Sequence, residues 1–222
     1  MKRKFLVALL VLISLPLIGC GRSRSEPAQI VTQILSDPVY DGDIAQDPLT
    51  EGTFAVTQGM TQGVQSVFAG IDPATGTEYR AFLDFPLTGV GGVPGNAVIV
   101  SATLDIFINN IFPYPLSGTI PIRIDLVSFQ PPTLIGTDFS RSLQPALATI
   151  TIVPPISQDN YGHHVFVDVT SLMSEAQSLG LADFQIRILE DLGIVAPWLI
   201  EINDTTGPNQ GTLAPLLQVT YY

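Results

Sequence analysis

The sequence predicts an all-β fold, a two-sheet antiparallel β-sandwich of the jelly-roll kind with one short helix. Three observations carry this expectation. Apolar residues alternate with polar ones over many short runs, the period that lines one face of a half-buried strand. Gly, Pro, Asn and Asp break those runs at irregular intervals, as loops between strands require. Only one stretch, near residue 170, has helical spacing with a start and a stop signal. A lipocalin-like barrel is the main rival, and the helix and uneven loop lengths fit it less well.

The first nineteen residues read as an export signal. Lys2, Arg3 and Lys4 supply a basic start, and Phe5 to Leu17 an apolar run broken by Ser14 and Pro16. Such a run is short for a membrane-spanning helix and has the flanks of a cleaved leader. Leu17-Ile18-Gly19-Cys20 reads as a lipobox, with the chain's single cysteine at the position that takes a diacylglyceryl thioether. Each buried methylene of an acyl chain contributes about 0.8 kcal/mol, so two or more chains make an anchor stable. Gly21 stands where bacterial lipoproteins retained at the inner membrane commonly carry Asp. The expected location is therefore the cell envelope, at the outer membrane where the cell has one. Residues 20–29 follow as the lipidated cysteine and a flexible, small and polar tether.

Residues 30–222 are expected to form the sandwich. Tyr79, Ala81, Leu83 and Phe85 share one face, as do Val98, Val100, Ala102, Leu104, Ile106 and Ile108. Ile120, Ile122, Ile124 and Leu126 alternate with Arg123 and Asp125, and Val165, Val167 and Val169 with Asp168. For the helix, Thr170 or Ser171 supplies the cap, Leu172, Ala176 and Leu179 the apolar stripe, and Gly180 the stop. Phe184, Ile186 and Ile188 form the next strand, then Trp198, Ile200 and Ile202. Leu217, Val219 and Tyr221 form a closing strand, with no module expected after it.

Charge excludes one class of partner. Without the three basic residues of the leader, six arginines face twenty acids, a net of −14, and no lysine remains. Such a surface repels nucleic acid and offers few phosphate contacts. It also repels acidic polysaccharides unless a divalent cation bridges them.

Three stretches in order resemble the DNRLRE-type (disaggregatase-related) domain, a carbohydrate-binding β-sandwich family. They are Tyr79-Arg80-Ala81-Phe82-Leu83-Asp84-Phe85 with Ile99-Val100-Ser101-Ala102-Thr103-Leu104, then Val165-Phe166-Val167-Asp168-Val169-Thr170, then Pro215-Leu216-Leu217-Gln218-Val219-Thr220-Tyr221. Their order and spacing hold over most of residues 37 to 222. The resemblance implies a sandwich and a glycan-binding role, and carries over no binding residue.

Candidate sites follow from residue chemistry. Asp37, Asp41, Asp43 and Asp47 crowd a turn-rich stretch, and such hard oxygens suit calcium. Their spacing is not that of the twelve-residue calcium loop, and a solvated acidic loop with Asx turns explains them equally. Asn203-Asp204-Thr205-Thr206-Gly207 is a second oxygen-rich loop. Tyr40, Tyr114 and Tyr161, in loops beside Pro, Gly or Asn, are candidates for a sugar-stacking platform, and anchoring of their own loops is the plain alternative. Trp198 shares the parity of Ile200 and Ile202 and is expected to pack. His163 and His164 are the only histidines, and neighbours on a strand point to opposite faces. No Gly-x-Ser-x-Gly elbow is present. The reading is a non-enzymatic, lipid-anchored envelope protein that binds glycan. The alternatives are a structural or adhesive lipoprotein with a protein partner and, less favoured, a polysaccharide-degrading enzyme.

Overall fold

A computed structural model describes residues 27–50, 52–59, 65–115, 117–129, 133–191 and 197–222. The leader, Cys20 and most of the tether lie outside the described residues. Fourteen strands follow: β1 (Ile30–Leu35), β2 (Gly42–Gln46), β3 (Phe54–Gln58), β4 (Ser66–Ile71), β5 (Glu78–Pro86), β6 (Ile99–Phe112) and β7 (Thr119–Ile120). Then come β8 (Ile122–Val127), β9 (Ala148–Thr151), β10 (Ile156–Ser157), β11 (His164–Asp168), β12 (Asp183–Glu190), β13 (Leu199–Asn203) and β14 (Leu216–Tyr221). Helix α1 (Thr170–Ser178) connects β11 to β12, and a single turn, α2 (Gln210–Leu213), precedes β14. The fold is an all-β sandwich with one short helix.

Every pairing is antiparallel, and the hydrogen-bonded order is β1-β14-β6-β13-β4-β5-β12-β8-β9. Strand β11 joins β6, β2 joins β5, and β3 joins β2, while β7 and β10 make a separate ribbon. The sheet curls on itself, and both layers share β6. Residues 99–105 of β6 pair with β14, residues 103–107 with β11, and residues 108–112 with β13.

The alternation read from β6 holds over its middle. Ala102, Leu104, Ile106 and Ile108 are buried and meet Ala81, Leu83, Phe85, Ile186, Ile188 and Val219 in the main core. At both ends a register shift breaks the period. Between Thr220 and Tyr221 the partner steps from Ser101 to Ile99, and between Glu201 and Ile202 it steps from Asn110 to Ile108. An extra residue on one strand turns the following side chains to the other face. Val98 and Val100, expected inside, are therefore exposed, and Ile99 packs against the core instead. Beyond the second shift the buried residue is Ile111.

Helix α1 buries Leu172, Met173 and Ala176, whereas Leu179, expected on that stripe, is exposed beyond the last turn. Gly180 takes a left-handed φ of 67° as the stop signal requires. Thr170 ties the helix to β6, its hydroxyl accepting from the Ala102 N–H at 2.9 Å.

The strands around β5 are not half-buried but covered on both faces. Their outer face carries Ile44, Phe82, Val127 and Phe129, and a strap containing Leu134 and Phe139 closes over them. Arg187 is buried completely beneath this strap. It donates to Asp125 at 2.8 Å and to the Asp138 and Gln144 carbonyls. Arg141 shares the same Asp125 carboxylate, and the Arg80 guanidinium lies 3.9 Å from the centre of the Phe139 ring.

The register shift sets a direct comparison. Leu104→Ala is expected to lose about 2–5 kcal/mol in urea unfolding, as buried leucines do. Val100→Ala is expected to stay within about 0.5 kcal/mol, the range of surface changes. Equal losses would show that β6 keeps one unbroken parity.

Candidate functional site

A groove of about 230 Å³ opens where β4, β5, β6 and β13 come together. Phe68 from β4, Tyr79 from β5 and Phe112 from the end of β6 line it, with Leu199 from β13 and Asp72 from the β4–β5 turn. Local sequence explains the shape. Asp72 nucleates its own turn, its Oδ1 accepting from the Ala74 N–H at 2.8 Å and its Oδ2 from the Thr75 hydroxyl at 2.9 Å. Gly70 has a φ of 117°, and a Cβ there would stand 2.2 Å from the Trp198 carbonyl. Only glycine lets β4 and β13 approach this closely beside the groove.

The rings are held in place. Phe68 and Tyr79 have centroids 5.7 Å apart with planes tilted by 55°. The Phe68 N–H donates to Asp43 Oδ2 at 3.3 Å, which ties the ring's backbone to β2. Burial, then the charges of Asp43 and Asp72, push the Tyr79 phenol above its usual value. The phenol therefore stays protonated at neutral pH and presents a hydrogen-bond donor.

A second pair of rings comes from the loop after β6 and the loop before β11. Tyr114 and Tyr161 have centroids 5.1 Å apart and are 63% and 40% exposed. Tyr114 follows Phe112 by two residues, a span of at most about 7 Å. Tyr161 is positioned by its neighbours: the Gly162 N–H donates to the Ile108 carbonyl, and the Ile108 N–H to the His163 carbonyl. The structure thus brings together two of the three tyrosines named from sequence. Tyr40 sits elsewhere, half-buried in the turn between β1 and β2. Trp198 is partly buried against the main core. Sequence reasoning missed Phe68, Tyr79 and Phe112. Tyr79 shares the parity of Ala81 and Leu83, so alternation groups it with the core residues of β5.

The four aspartates of the acidic stretch part company. Asp37 and Asp47 cap exposed turns, accepting from the Val39 and Leu49 N–H groups. Asp43 is buried beside β4, and burial raises its carboxyl to about 7. Asp41 is buried elsewhere and accepts from the Asp84 N–H at 2.7 Å. Among the described residues, no group of three or more His, Cys, Asp or Glu side chains is arranged to hold a metal ion.

The histidines take different partners. His163 Nδ1 meets the Tyr161 carbonyl and His164 Nδ1 the Asp105 carboxylate, each at 2.8 Å. Another concavity, about 460 Å³ between residues 95–99 and α1, is lined by small, amide and hydroxyl side chains with Val98 and Ile99, and holds no ring or charge.

Among the described residues, no helix is long and apolar enough to cross a membrane. No model of a known protein family matches the chain, and no curated protein compared with it matches either.

The buried acids give a signed pH dependence. Burial raises Asp43 and Glu190 to about 7 and Asp84 to about 6, against ordinary values near 4. The folded state therefore binds more protons than the unfolded chain between those limits. Their contribution is full below about pH 4 and is lost as pH rises through about 7. In chelator-containing buffer, the urea midpoint is expected to fall from pH 5 to pH 7.5. A midpoint that rises over that interval would contradict these assignments.

Proposed function

We propose that this protein is an exported, lipid-anchored envelope protein that binds glycan through the aromatic groove of β4, β5, β6 and β13. The observation that carries the reading is the convergence of three groove rings, one of them a protonated phenol, with a carboxylate. A pyranose ring has an apolar face that stacks on aromatic rings and an edge of hydroxyls that needs donors and acceptors. Pockets for small ligands combine the same two features. Phe68, Phe112 and Tyr79 would supply the stacking surface, Tyr79 a donor and Asp72 an acceptor. Tyr114 and Tyr161 would extend the surface to a second sugar unit. The groove is smaller than the roughly 300–1,000 Å³ of drug-sized sites, which suits one ring at a time. It carries no cationic side chain, so a neutral glycan fits it best. The resemblance to DNRLRE-type domains points the same way, and the lipobox at Cys20 would hold the groove at the envelope surface.

A second reading, an adhesive or structural lipoprotein with a protein partner, rests on another face. Phe166 is largely exposed beside His164, which also meets Phe107 at 5.1 Å.

A glycan array and polysaccharide pull-down with the purified chain separates the two. Neutral oligosaccharides are expected to bind, and Tyr114→Ala and Phe112→Ala to weaken binding by about tenfold each, equivalent to 1.4 kcal/mol. Circular dichroism should show the Tyr114→Ala fold unchanged. Silence on the array, or binding lost only with Phe166→Ala, would favour the protein partner. For the anchor, fatty-acid labelling in cells is expected to disappear in Cys20→Ser.

A further inference from the structure

Strand β11 leaves one side open. Among the described residues it pairs with β6 alone. The hydrogen bonds that bracket it run from the Val169 N–H to the Ala102 carbonyl and from the Ile108 N–H to the His163 carbonyl. Backbone groups of successive residues in an antiparallel strand point to opposite sides. Residues 165 and 167 therefore face β6. The N–H and C=O groups of His164, Phe166 and Asp168 face outward, with no partner strand among the described residues. The side chains of these three are exposed too, Phe166 at 67%, while Val165 and Val167 are buried.

Proteins usually guard such an edge with lysine, proline or a bulge. Strand β11 uses none of them: no lysine follows the leader, His164–Asp168 holds no proline, and the register with β6 is unbroken. At its centre stands Phe166, its ring stacked on His164 at 6.1 Å and 15°. The residues around it are self-complementary. His164 lies two positions before Phe166, and Asp168 two positions after. A second β11 laid antiparallel about Phe166 sets ring against ring, each His164 opposite Asp168 of the other copy. Every facing pair exchanges backbone hydrogen bonds, because the outward groups belong to these same residues. All six side chains fall on one exposed face. A slip of two residues would lose both charge pairs.

The charges are prepared for this. His164 Nδ1 meets Asp105 at 2.8 Å, which leaves Nε2 for a second carboxylate. Hydrogen bonds from the Thr170 hydroxyl and N–H hold the Asp168 carboxyl below its usual range, so it is ionised.

We propose that the chain forms a two-fold dimer through β11, in which the strands of two copies pair antiparallel about Phe166 and join their sheets into one. Such a contact uses the same patch on both copies and closes at two. The general acidity of the chain opposes association. At 0.15 M salt that repulsion is screened beyond about 8 Å, and the facing histidine–aspartate pairs remain. The dimer uses no residue of the aromatic groove, so it stands or falls apart from glycan binding.

The test is sedimentation velocity of the purified full chain at rising concentration, in 0.15 M salt at pH 6, where histidine takes up a proton. A reversible monomer–dimer equilibrium is expected, with a Kd on the order of 100 µM, as suits a contact below standard interface size. Phe166→Pro removes the central outward N–H and the ring while keeping every hydrogen bond to β6, a position where a strand tolerates proline. It is expected to weaken the dimer by about tenfold or more. His164→Asp sets carboxylates opposite one another and is expected to weaken it similarly. Adding Asp168→His to that variant restores opposite charges and is expected to recover most of the affinity. A wild-type chain that stays monomeric up to about 1 mM overturns the proposal. So does a dimer unmoved by Phe166→Pro or His164→Asp, or a double exchange with native circular dichroism and no recovery.

Discussion

Strand β6 pairs with β14 and β11 along its first half and with β13 along its second, so the hydrogen bonds of both layers converge on fourteen residues. Its buried run from Ala102 to Ile108 sits at the centre of the main core. Its two register shifts decide which way the ends face. The shift beside Asn110 ends the even parity of the buried run, so that Ile111 is the next residue covered and Phe112 lines the groove. The aromatic site is thus a consequence of where one strand loses its period. A sandwich with a regular β6 would place different residues there.

The scarcity of cations is the second constraint. Three of the four arginines beyond the tether gather at the strap, where Asp125, Glu78 and the Phe139 ring hold them. Removing one partner of such a buried pair typically costs about 3–5 kcal/mol, because the other charge is left without compensation. With the fourth at Asp191, none is left for Asp41, Asp43, Asp204 or Glu190. These carboxyls are buried all the same and sit above their ordinary range. Acidity on the surface favours solubility. The same acidity inside is met by protons.

Much of the fold was legible in the alternation. Val165, Val167 and Val169, then Phe184, Ile186 and Ile188, are buried as their parity demands. The helix, its stop at Gly180 and the closing strand also followed from residue patterns. The misplaced residues share a physical cause, which is that periodicity is local while burial is tertiary. Val98 and Val100 were misplaced because a bulge depends on the partner strand. Asp125 and Arg187 fall on the polar side of the alternation, and nothing in β8 or β12 announces the strap that covers them. The site was legible only in part. Tyr114 and Tyr161 stood out as loop aromatics, and their tilted contact with one another emerges from the fold. Phe68, Tyr79 and Phe112 were hidden among core-like alternations.

The central claim is that sugar stacks in the groove of Phe68, Tyr79 and Phe112. The most direct measurement is an NMR titration of the purified chain with a neutral oligosaccharide, following the aromatic ring protons. Saturable shifts are expected in those three rings, extending to Tyr114 and Tyr161 with longer chains. Saturable shifts confined to Phe166, His164 and Phe107, with the groove rings unmoved, would contradict it.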